Sequence, residues 1–274
     1  MNYGKAAMKR RSHEVDNKPT KIRKKCGVIF WKIFVVCLIV AGVIGISTGV
    51  GAVKGILASA PDISEIDVIP NGYSTTVLAS DGSEIATLVA EGSNRQYVTL
   101  DEIPKDLQHA VVAIEDERFY EHNGIDLKGI ARALVTDIKA MDFSQGASTI
   151  TQQLIKNNVL TEQWANENEG KISKLEKMER QVQRKIQEMY IAVELEKKVD
   201  NKDWILENYL NSINLGSNTL GVQAAAQRYF GKDVSELTLS ECAVIAGITK
   251  NPAGYNPILH PENNASRRED VLDA

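Results

Sequence analysis

The sequence predicts a mainly α-helical domain with a small β element near its start, preceded by a single N-terminal transmembrane helix. Three observations support this fold class. Residues 33–53 form a 21-residue stretch without a charged side chain. Residues 75–89 are typical of two short strands around an Asp-Gly turn. From Pro104 onward, apolar residues recur at helical spacing, which indicates that the rest of the chain is built from helices.

The charge distribution predicts how the apolar stretch is oriented. Residues 1–32 hold ten Lys or Arg against two acidic residues, a net charge of +8, whereas the remainder holds 22 basic against 34 acidic residues, a net of −12. About 20 apolar residues span a hydrocarbon core of roughly 30 Å. The positive-inside rule places the basic head in the cytoplasm and everything after Lys54 outside. A basic head on an acidic body also argues against a nucleic-acid-binding protein.

Four segments are expected along the chain: a disordered, basic cytoplasmic tail over 1–26, a signal-anchor over 27–54, a connector over 55–72 and the outer domain over 73–274. A cleaved signal peptide is the competing interpretation, because Ala58-Ser59-Ala60 resembles an A-x-A cleavage site. The apolar run is longer than the usual core of a signal peptide, so an uncleaved anchor is favoured. Since Cys242 is the one cysteine beyond the membrane segment, a disulfide within the outer domain is excluded.

The outer domain is predicted to continue from its hairpin into a series of helices. The first begins near Ile103-Pro104, and others are expected over 126–140, 148–158, 172–198, 202–213, 219–230 and 238–249. Residues 161–180 are unusually polar and predict either a mobile loop or the solvated start of a helix.

The motif VVAIEDERFYEHNG places two carboxyl groups directly after four apolar residues. At this place Glu115 is expected to be partly desolvated, and the adjacent Asp116 adds like-charge repulsion. Both effects favour proton exchange by the Glu115 carboxyl group. The competing interpretation is that these carboxylates are structural and pair with Arg118 or Arg132. His122, taken alone, is more typical of a structural histidine.

The motif GASTITQQLIK predicts a polar stripe on one helix. Ser148, Gln152 and Lys156 recur at i, i+4 and i+8, so that a hydroxyl, an amide and an ammonium group could hold phosphate or sugar oxygens. The Ser-Thr-Ile-Thr run has poor helix propensity, which indicates a functional reason for it. Ser148 could instead serve only as a helix cap.

The motif RQVQRKIQEMY predicts a charged helical face. Arg180, Arg184 and Glu188 lie on that face, while the apolar residues turn toward a core. Two guanidinium groups one turn apart suit a pyrophosphate. By itself, the spacing of Arg184 and Glu188 is more typical of a plain salt bridge.

Taken together and in this order, these motifs resemble the family-51 glycosyltransferases, the domain of monofunctional transglycosylases and of class A penicillin-binding proteins. The resemblance covers residues from about Tyr73 to the end, roughly three quarters of the chain. It rests on five segments: Glu115-Asp116-x-x-Phe119-x-x-His122-x-Gly124, Gly146-x-Ser148-Thr149-x-Thr151-Gln152-Gln153, Arg184-Lys185-x-x-Glu188, the block around Asn211, and Leu239-Ser240-Glu241-x-Ala243 with Pro252 and Tyr255-Asn256-Pro257.

The resemblance implies a lysozyme-like fold with a small membrane-associated lobe, and an inverting glycosyl transfer. The 4-hydroxyl of one lipid-linked disaccharide, lipid II, would attack C1 of a growing glycan strand held on undecaprenyl pyrophosphate. Glu115 resembles the general base for that hydroxyl. Glu188 resembles the second carboxylate, which orients a basic residue or a divalent cation, Mg²⁺ or Mn²⁺; no dedicated metal site in the protein is expected.

The substrate-binding residues implied by the resemblance fall into two groups. One group neutralises the departing pyrophosphate: Lys156, Arg180 and Arg184. The other lines the cleft: Ser148, Gln152, Gln153, Arg132 and Asn211. The expected partners are lipid II, the growing strand, the membrane and other cell-wall synthesis or division proteins, with the protein as a single-pass cell-membrane enzyme.

The chain departs from the family pattern in two places. The polar 161–180 segment is longer than the family usually carries, and Gln187 stands where some relatives have Lys. Because the family's transpeptidase motifs, Ser-x-x-Lys and Lys-Thr-Gly, do not occur as a set in this sequence, we expect either a monofunctional enzyme or the front part of a bifunctional one. A glycan-cleaving muramidase, which would not need the basic cluster, and a catalytically silent membrane scaffold are the alternatives.

Overall fold

The computed structural model describes residues 4–16, 18–62, 68–69, 75–88, 95–140, 148–161 and 173–274. The chain divides into two compact units, Met1–Ala58 and Ser59–Ala274. Parts of two predicted segments, the connector over 55–72 and the polar segment over 161–180, lie outside the described residues.

The first unit consists of two helices, α1 (Lys5–Asp16) and α2 (Lys18–Ala58). Within the described part of the chain, one helix is long and apolar enough to cross a membrane, at Lys25–Ala58, with a mean hydropathy of 2.6. The prediction of a disordered tail over 1–26 is wrong for most of its length, because the described residues from Lys5 to Cys26 are helical. Lys, Arg, Ala and Met have high helix propensity, so these residues can form a helix without an apolar face to pack.

The second unit begins with the predicted hairpin. Strand β1 (Thr75–Leu78) pairs antiparallel with β2 (Glu84–Leu88). The turn between them is closed by hydrogen bonds from Ser83 N to Asp81 Oδ1 over 2.9 Å and from Gly82 N to the carbonyl oxygen of Ala79 over 3.0 Å. Gly82 has φ of +85°, a left-handed conformation that an Asp-Gly turn supplies at little cost. The Asp-Gly prediction is confirmed.

The rest of the second unit is helical, as predicted. Its elements are α3 (Lys105–Glu115), α4 (Leu127–Ala140), α5 (Ile150–Ile155) with a π-helical turn (Lys156–Leu160), α6 (Lys174–Val199), α7 (Lys202–Ser212), α8 (Val222–Phe230), a 3₁₀ turn (Val234–Glu236), α9 (Leu239–Ile248) and α10 (Pro261–Leu272). Helix α10 has no counterpart among the predicted helices, although Pro261 at its first position is a typical helix start.

The core of the second unit is centred on α9. Six of its ten residues are buried, from Cys242 to Ile248, and α3 and α10 pack against it. Helix α5 packs against α6 and α7, with Leu154 and Ile155 fully buried. Burying each such side chain contributes about 1.5–3 kcal/mol. The core therefore holds the ends of α3, α5 and α9 close to one another.

Helix α6 is fixed at both ends. A capping box begins it, in which the side chain of Ser173 accepts from Glu176 N, and the side chain of Glu176 accepts from Ser173 N. Asp200 ends it with φ of +47°. The polar segment therefore becomes a capped helix from Ser173 onward, in agreement with the interpretation as a helix start.

Candidate active site

Glu115 is the last residue of α3, and each oxygen of its carboxylate accepts a hydrogen bond from a different helix. Gln153 of α5 donates from Nε2 to Glu115 Oε2 over 2.7 Å. Thr249, directly after α9, donates from Oγ1 to Glu115 Oε1 over 2.5 Å. The carboxylate at the end of α3 is thus held in one orientation between α5 and the end of α9.

Tyr209 of α7 fixes the orientation of the Gln153 amide. Its hydroxyl donates to Gln153 Oε1 over 3.0 Å. Burial, together with the negative charges of Glu115 and Asp116, raises the pKa of Tyr209 well above its usual value, so the phenol stays protonated and available as a donor. With Oε1 of Gln153 turned to Tyr209, Nε2 faces the carboxylate.

Asp116, next to Glu115, has a structural role, because both of its oxygens are bound by neighbouring parts of the protein. Its Oδ1 lies 2.9 Å from His122 Nε2, and its Oδ2 accepts from the backbone N–H of Ile150 over 3.0 Å. Asp116 thereby ties the end of α3 to the first residue of α5. The interpretation of His122 as a structural histidine agrees with this geometry.

The predicted pairing of these carboxylates with Arg118 or Arg132 is wrong. Arg118 pairs with Asp126, and its hydrogen bond with that carboxylate raises the pKa of the guanidinium. Arg132 Nη1 lies 3.1 Å from Glu117 Oε2. The arginines thus pair with two other carboxylates, Glu117 just after α3 and Asp126 just before α4.

Gly124 connects the first motif with the second and with α6. Its carbonyl oxygen accepts from Thr149 Oγ1 over 2.7 Å and from Gln152 Nε2 over 3.2 Å. Its φ is +82°, and a Cβ at this position would lie 2.7 Å from the carbonyl carbon of Ala192. A glycine is therefore required here by both conformation and close approach.

The second candidate carboxylate, Glu188, lies on α6 and is bound by Lys185. Lys185 Nζ lies 2.6 Å from Glu188 Oε1 and also donates to Ser148 Oγ over 2.7 Å and to Gln152 Oε1 over 2.8 Å. The Glu188 side chain is only 8% exposed. Sequence reasoning missed Lys185 as a site residue, although the spacing Arg184-Lys185-x-x-Glu188 permits an i, i+3 pair.

The predicted stripe of Ser148, Gln152 and Lys156 is not continuous. Ser148 precedes α5, and the residue that caps this helix is Thr149, so the interpretation of Ser148 as the cap is wrong. Lys185 joins Ser148 and Gln152, whereas Lys156 lies exposed at the start of the π-helical turn. Lys156 belongs to the π-helical turn that follows α5, and not to α5 itself.

Two predicted cations, Arg180 and Arg184, lie on α6 upstream of Glu188, both partly exposed. The structure gives Glu188 a salt bridge with Lys185 at i−3. Glu188 therefore pairs with the lysine next to Arg184, and not with Arg184 as the i, i+4 spacing predicts.

The prediction that Asn211 lines the cleft is wrong. It is 1% exposed. Its Oδ1 accepts from Val98 N over 3.0 Å, and its Nδ2 donates to the carbonyl oxygens of Val98, over 2.8 Å, and of Glu207, over 2.9 Å. Asn211 therefore holds the segment before α3 onto α7.

An open cleft runs beside Glu115. Its volume is about 170 Å³, and its wall includes Glu115, Asp116, Arg132 and Ser148. The Arg132 side chain is 61% exposed there. The cleft brings one candidate general base, one exposed guanidinium and the hydroxyl next to Lys185 to a common surface.

A family model described as Transglycosylase matches residues 81–274. The chain belongs to the transglycosylase family. The predicted family is thereby confirmed, and the mainly α fold with one small sheet and one apolar N-terminal helix agrees with the predicted fold class.

Several curated proteins are similar to this transglycosylase chain. Penicillin-binding protein 1F of Bacillus subtilis is 43% identical over 73% of the chain and 25% of the relative. Penicillin-binding protein 1A/1B of Bacillus subtilis is 37% identical over 93% of the chain and 26% of the relative. Penicillin-binding protein 1A of Escherichia coli is 39% identical over 89% of the chain and 26% of the relative. The chain spans about a quarter of the length of these relatives.

Among solved structures, penicillin-binding protein 1A from Haemophilus influenzae matches 74% of the transglycosylase chain and 18% of its own length, at 26% sequence identity and a TM-score of 0.36.

Proposed function

We propose that this chain is a peptidoglycan glycosyltransferase that polymerises lipid II into β-1,4 glycan strands, with inversion at C1 and release of undecaprenyl pyrophosphate. The observation that carries the proposal is the pair of separately held carboxylates. Glu115 is oriented by Gln153 and Thr249 at the wall of a cleft, and Glu188 is bound by Lys185. Family membership supports the same reaction class.

Glu115 has the position of a general base. From the residues that the structure describes, each of its oxygens accepts one hydrogen bond, and a carboxylate oxygen can accept two, so a lone pair remains on each for the incoming sugar hydroxyl. A base positioned in this way contributes about 10²- to 10⁴-fold to the rate. The 4-hydroxyl of the acceptor sugar gives its proton to Glu115 as its oxygen attacks C1 of the donor.

The leaving-group side is assigned to the cations of α6. Negative charge grows on the pyrophosphate as the bond to C1 breaks, and a fixed cation there lowers the barrier. Lys185 is held in place by Ser148, Gln152 and Glu188. Together with Arg180, Arg184 and Lys156, it would supply the positive charge.

A divalent cation is proposed to accompany the pyrophosphate of the substrate. Among the residues that the structure describes, there is no group of three or more His, Cys, Asp or Glu side chains that could cage a metal ion. Mg²⁺ typically keeps several waters and binds through substrate phosphates and one or two carboxylates. The ion would therefore be held mainly by the substrate, with Glu188 as the nearest proposed carboxylate.

The apolar helix supports a membrane location. Lys25–Ala58 is long and apolar enough to span a bilayer, and basic residues precede it. By the positive-inside rule the N-terminus lies in the cytoplasm and the Ser59–Ala274 unit outside. Enzyme and lipid-linked substrate would then meet in one membrane. Other cell-wall synthesis or division proteins stay predicted partners.

The test is polymer formation from lipid-linked disaccharide-pentapeptide by the detergent-solubilised chain in the presence of Mg²⁺. We expect glycan strands from the wild type and a rate at least about 100-fold lower for Glu115→Gln, which cannot accept the proton. Glu194→Gln, on the same protein but paired with Lys197, is the matched control and keeps full activity.

Two outcomes would reject the proposal. Full activity of Glu115→Gln would remove this carboxylate from the mechanism. A folded wild type that makes no polymer, or that instead cleaves lipid-free glycan, would favour the scaffold or the muramidase.

A further inference from the structure

Thr249 lies at the end of the buried helix α9, 134 positions from Glu115 in sequence. Its hydroxyl reaches the carboxylate oxygen Oε1 of Glu115 and also lies 2.7 Å from the carbonyl oxygen of Ala246. It lies between Ala243 and Pro252 of the fifth motif segment but is not one of the residues that define that segment.

The hydroxyl of Thr249 has one proton and two possible acceptors. The Ala246 carbonyl oxygen also accepts from the backbone N–H of Thr249, over 3.4 Å. The carboxylate of Glu115 is ionised when it acts as a base, and a hydrogen bond to a charged acceptor is about twice as strong as one between neutral groups. The proton of the hydroxyl is therefore directed to Glu115.

Thr249 and Gln153 donate hydrogen bonds to different oxygens of the Glu115 carboxylate. The amide of Gln153 is already fixed by Tyr209, so Oε2 of Glu115 faces a donor that cannot turn. No other residue that the structure describes donates to Oε1, so without Thr249 the carboxylate could rotate about its terminal bond.

We propose that Thr249 is a positioning residue for the base Glu115, whose hydroxyl holds the carboxylate in the orientation that receives the proton of the acceptor sugar. This inference rests on the proposed glycosyl transfer. Thr249 acts through Glu115 and need not contact the substrate.

A positioning role affects kcat and KM differently. Loss of the carboxylate's orientation slows the proton transfer and so lowers kcat. The residues assigned to the pyrophosphate are unchanged, so KM is little affected. Because misplacement of a reacting group by about 1 Å can cost about 100-fold in rate, we expect Thr249→Val to lower kcat by about 10- to 100-fold. KM should stay within about twofold of the wild type, as expected for an interaction made only in the transition state.

The test compares steady-state polymerisation by three variants of the full chain. Thr249→Val keeps the shape and removes the donor, and Thr249→Ser keeps the donor and should restore most of kcat. Thr238→Val is the matched control, because Thr238 caps the other end of the same helix through Glu241. It should lower the melting temperature and leave kcat unchanged. If Thr249→Val fails to fold, Thr249→Ala takes its place.

The outcomes separate this inference from the proposed function. An inactive wild type rejects the proposed function. An active wild type with an inactive Glu115→Gln and an unaffected Thr249→Val rejects only the role of Thr249. Equal loss of kcat in the valine and serine variants would also reject it, because the hydroxyl would then not be the group that matters.

Discussion

Lys185 Nζ lies 2.6 Å from Glu188 Oε1. The same ammonium group donates to the hydroxyl of Ser148, just before α5, and to the amide oxygen of Gln152, within α5. The neighbouring amide, Gln153, binds Glu115. Two adjacent glutamines on α5 therefore serve the two carboxylates: Gln153 donates to Glu115 itself, and Gln152 accepts from Lys185, the cation paired with Glu188. The carboxylate proposed as the base and the cation proposed for the leaving group thus both contact the single short helix α5.

Lys185→Met should weaken both stability and catalysis. Glu188 is 8% exposed and would be left without its cation, whereas Lys185 itself is 42% exposed, so the loss is expected at about 2–3 kcal/mol, below that of a fully buried pair. We expect kcat/KM to fall about 100-fold, as for the loss of a group that stabilises transition-state charge. Thermal unfolding and polymerisation kinetics measure the two effects.

The double variant Lys185→Met with Glu188→Gln should regain most of the stability without regaining activity. Lys197→Met is the control, since its pair with Glu194 has the same i, i+3 spacing on α6 but is exposed, and should cost at most about 0.5 kcal/mol. A Lys185 variant as active as the wild type would remove the lysine from the pyrophosphate side.

Asp116→Ala should destabilise the protein by about 2–4 kcal/mol, because two buried donors, at His122 and at the backbone of Ile150, lose their acceptor. Asp116→Asn should cost less, since the amide oxygen can still accept from Ile150. Urea unfolding followed by circular dichroism measures the difference. Glu117→Ala, an exposed carboxylate beside it, is the control. Equal cost for Asp116→Ala and Glu117→Ala would contradict the structural role of Asp116.

The elements that the sequence predicted are those set by local physics. An Asp-Gly pair determines the hairpin turn, and apolar spacing determines the helices to within a few residues. The same locality explains the failure at residues 1–26. Residues 5–26 lack amphipathic spacing, but their high helix propensity is enough to form a helix.

The contacts that complete the site are not local, and this is why the motifs did not reveal them. Thr249 meets Glu115 across 134 positions. Asn211 meets Val98 across 113 positions. Lys185 lies within a recognised motif, yet its partners are Gln152 of α5 and Ser148, which precedes that helix. Spacing along one helix identifies a face and leaves open which side chains meet across helices.

Asn211→Ala should behave as a stability variant. It removes the acceptor of one buried backbone N–H and the donor of two buried carbonyl oxygens, which costs about 2–4 kcal/mol. KM for the lipid-linked substrate should stay within about twofold, because no substrate contact is lost. Thermal unfolding and kinetics at a temperature well below the transition measure both. The exposed Asn263→Ala is the control. A large rise in KM at unchanged stability would instead restore Asn211 to the cleft.

Glu241, in the first turn of α9, should make the free energy of unfolding decrease as the pH falls into the acidic range. Hydrogen bonds from Lys232 Nζ, over 2.8 Å, and from the backbone N–H of Thr238, over 2.8 Å, lower the pKa of Glu241 to about 2. The unfolded chain has the ordinary value of about 4.5. Because the folded-state pKa is depressed, this contribution to stability is fully present above about pH 4.5 and is lost as the pH falls toward 2.

Glu241→Gln should therefore be less stable than the wild type at pH 7, and the gap between the two should shrink between pH 5 and pH 3. Thermal unfolding at several pH values measures this gap. Lys232→Met serves as the matched variant, because it removes the largest cause of the shift and should lose most of the same pH dependence. A gap that stays constant down to pH 3 would mean that the charge of Glu241 does not contribute, and that the capping hydrogen bonds alone stabilise α9.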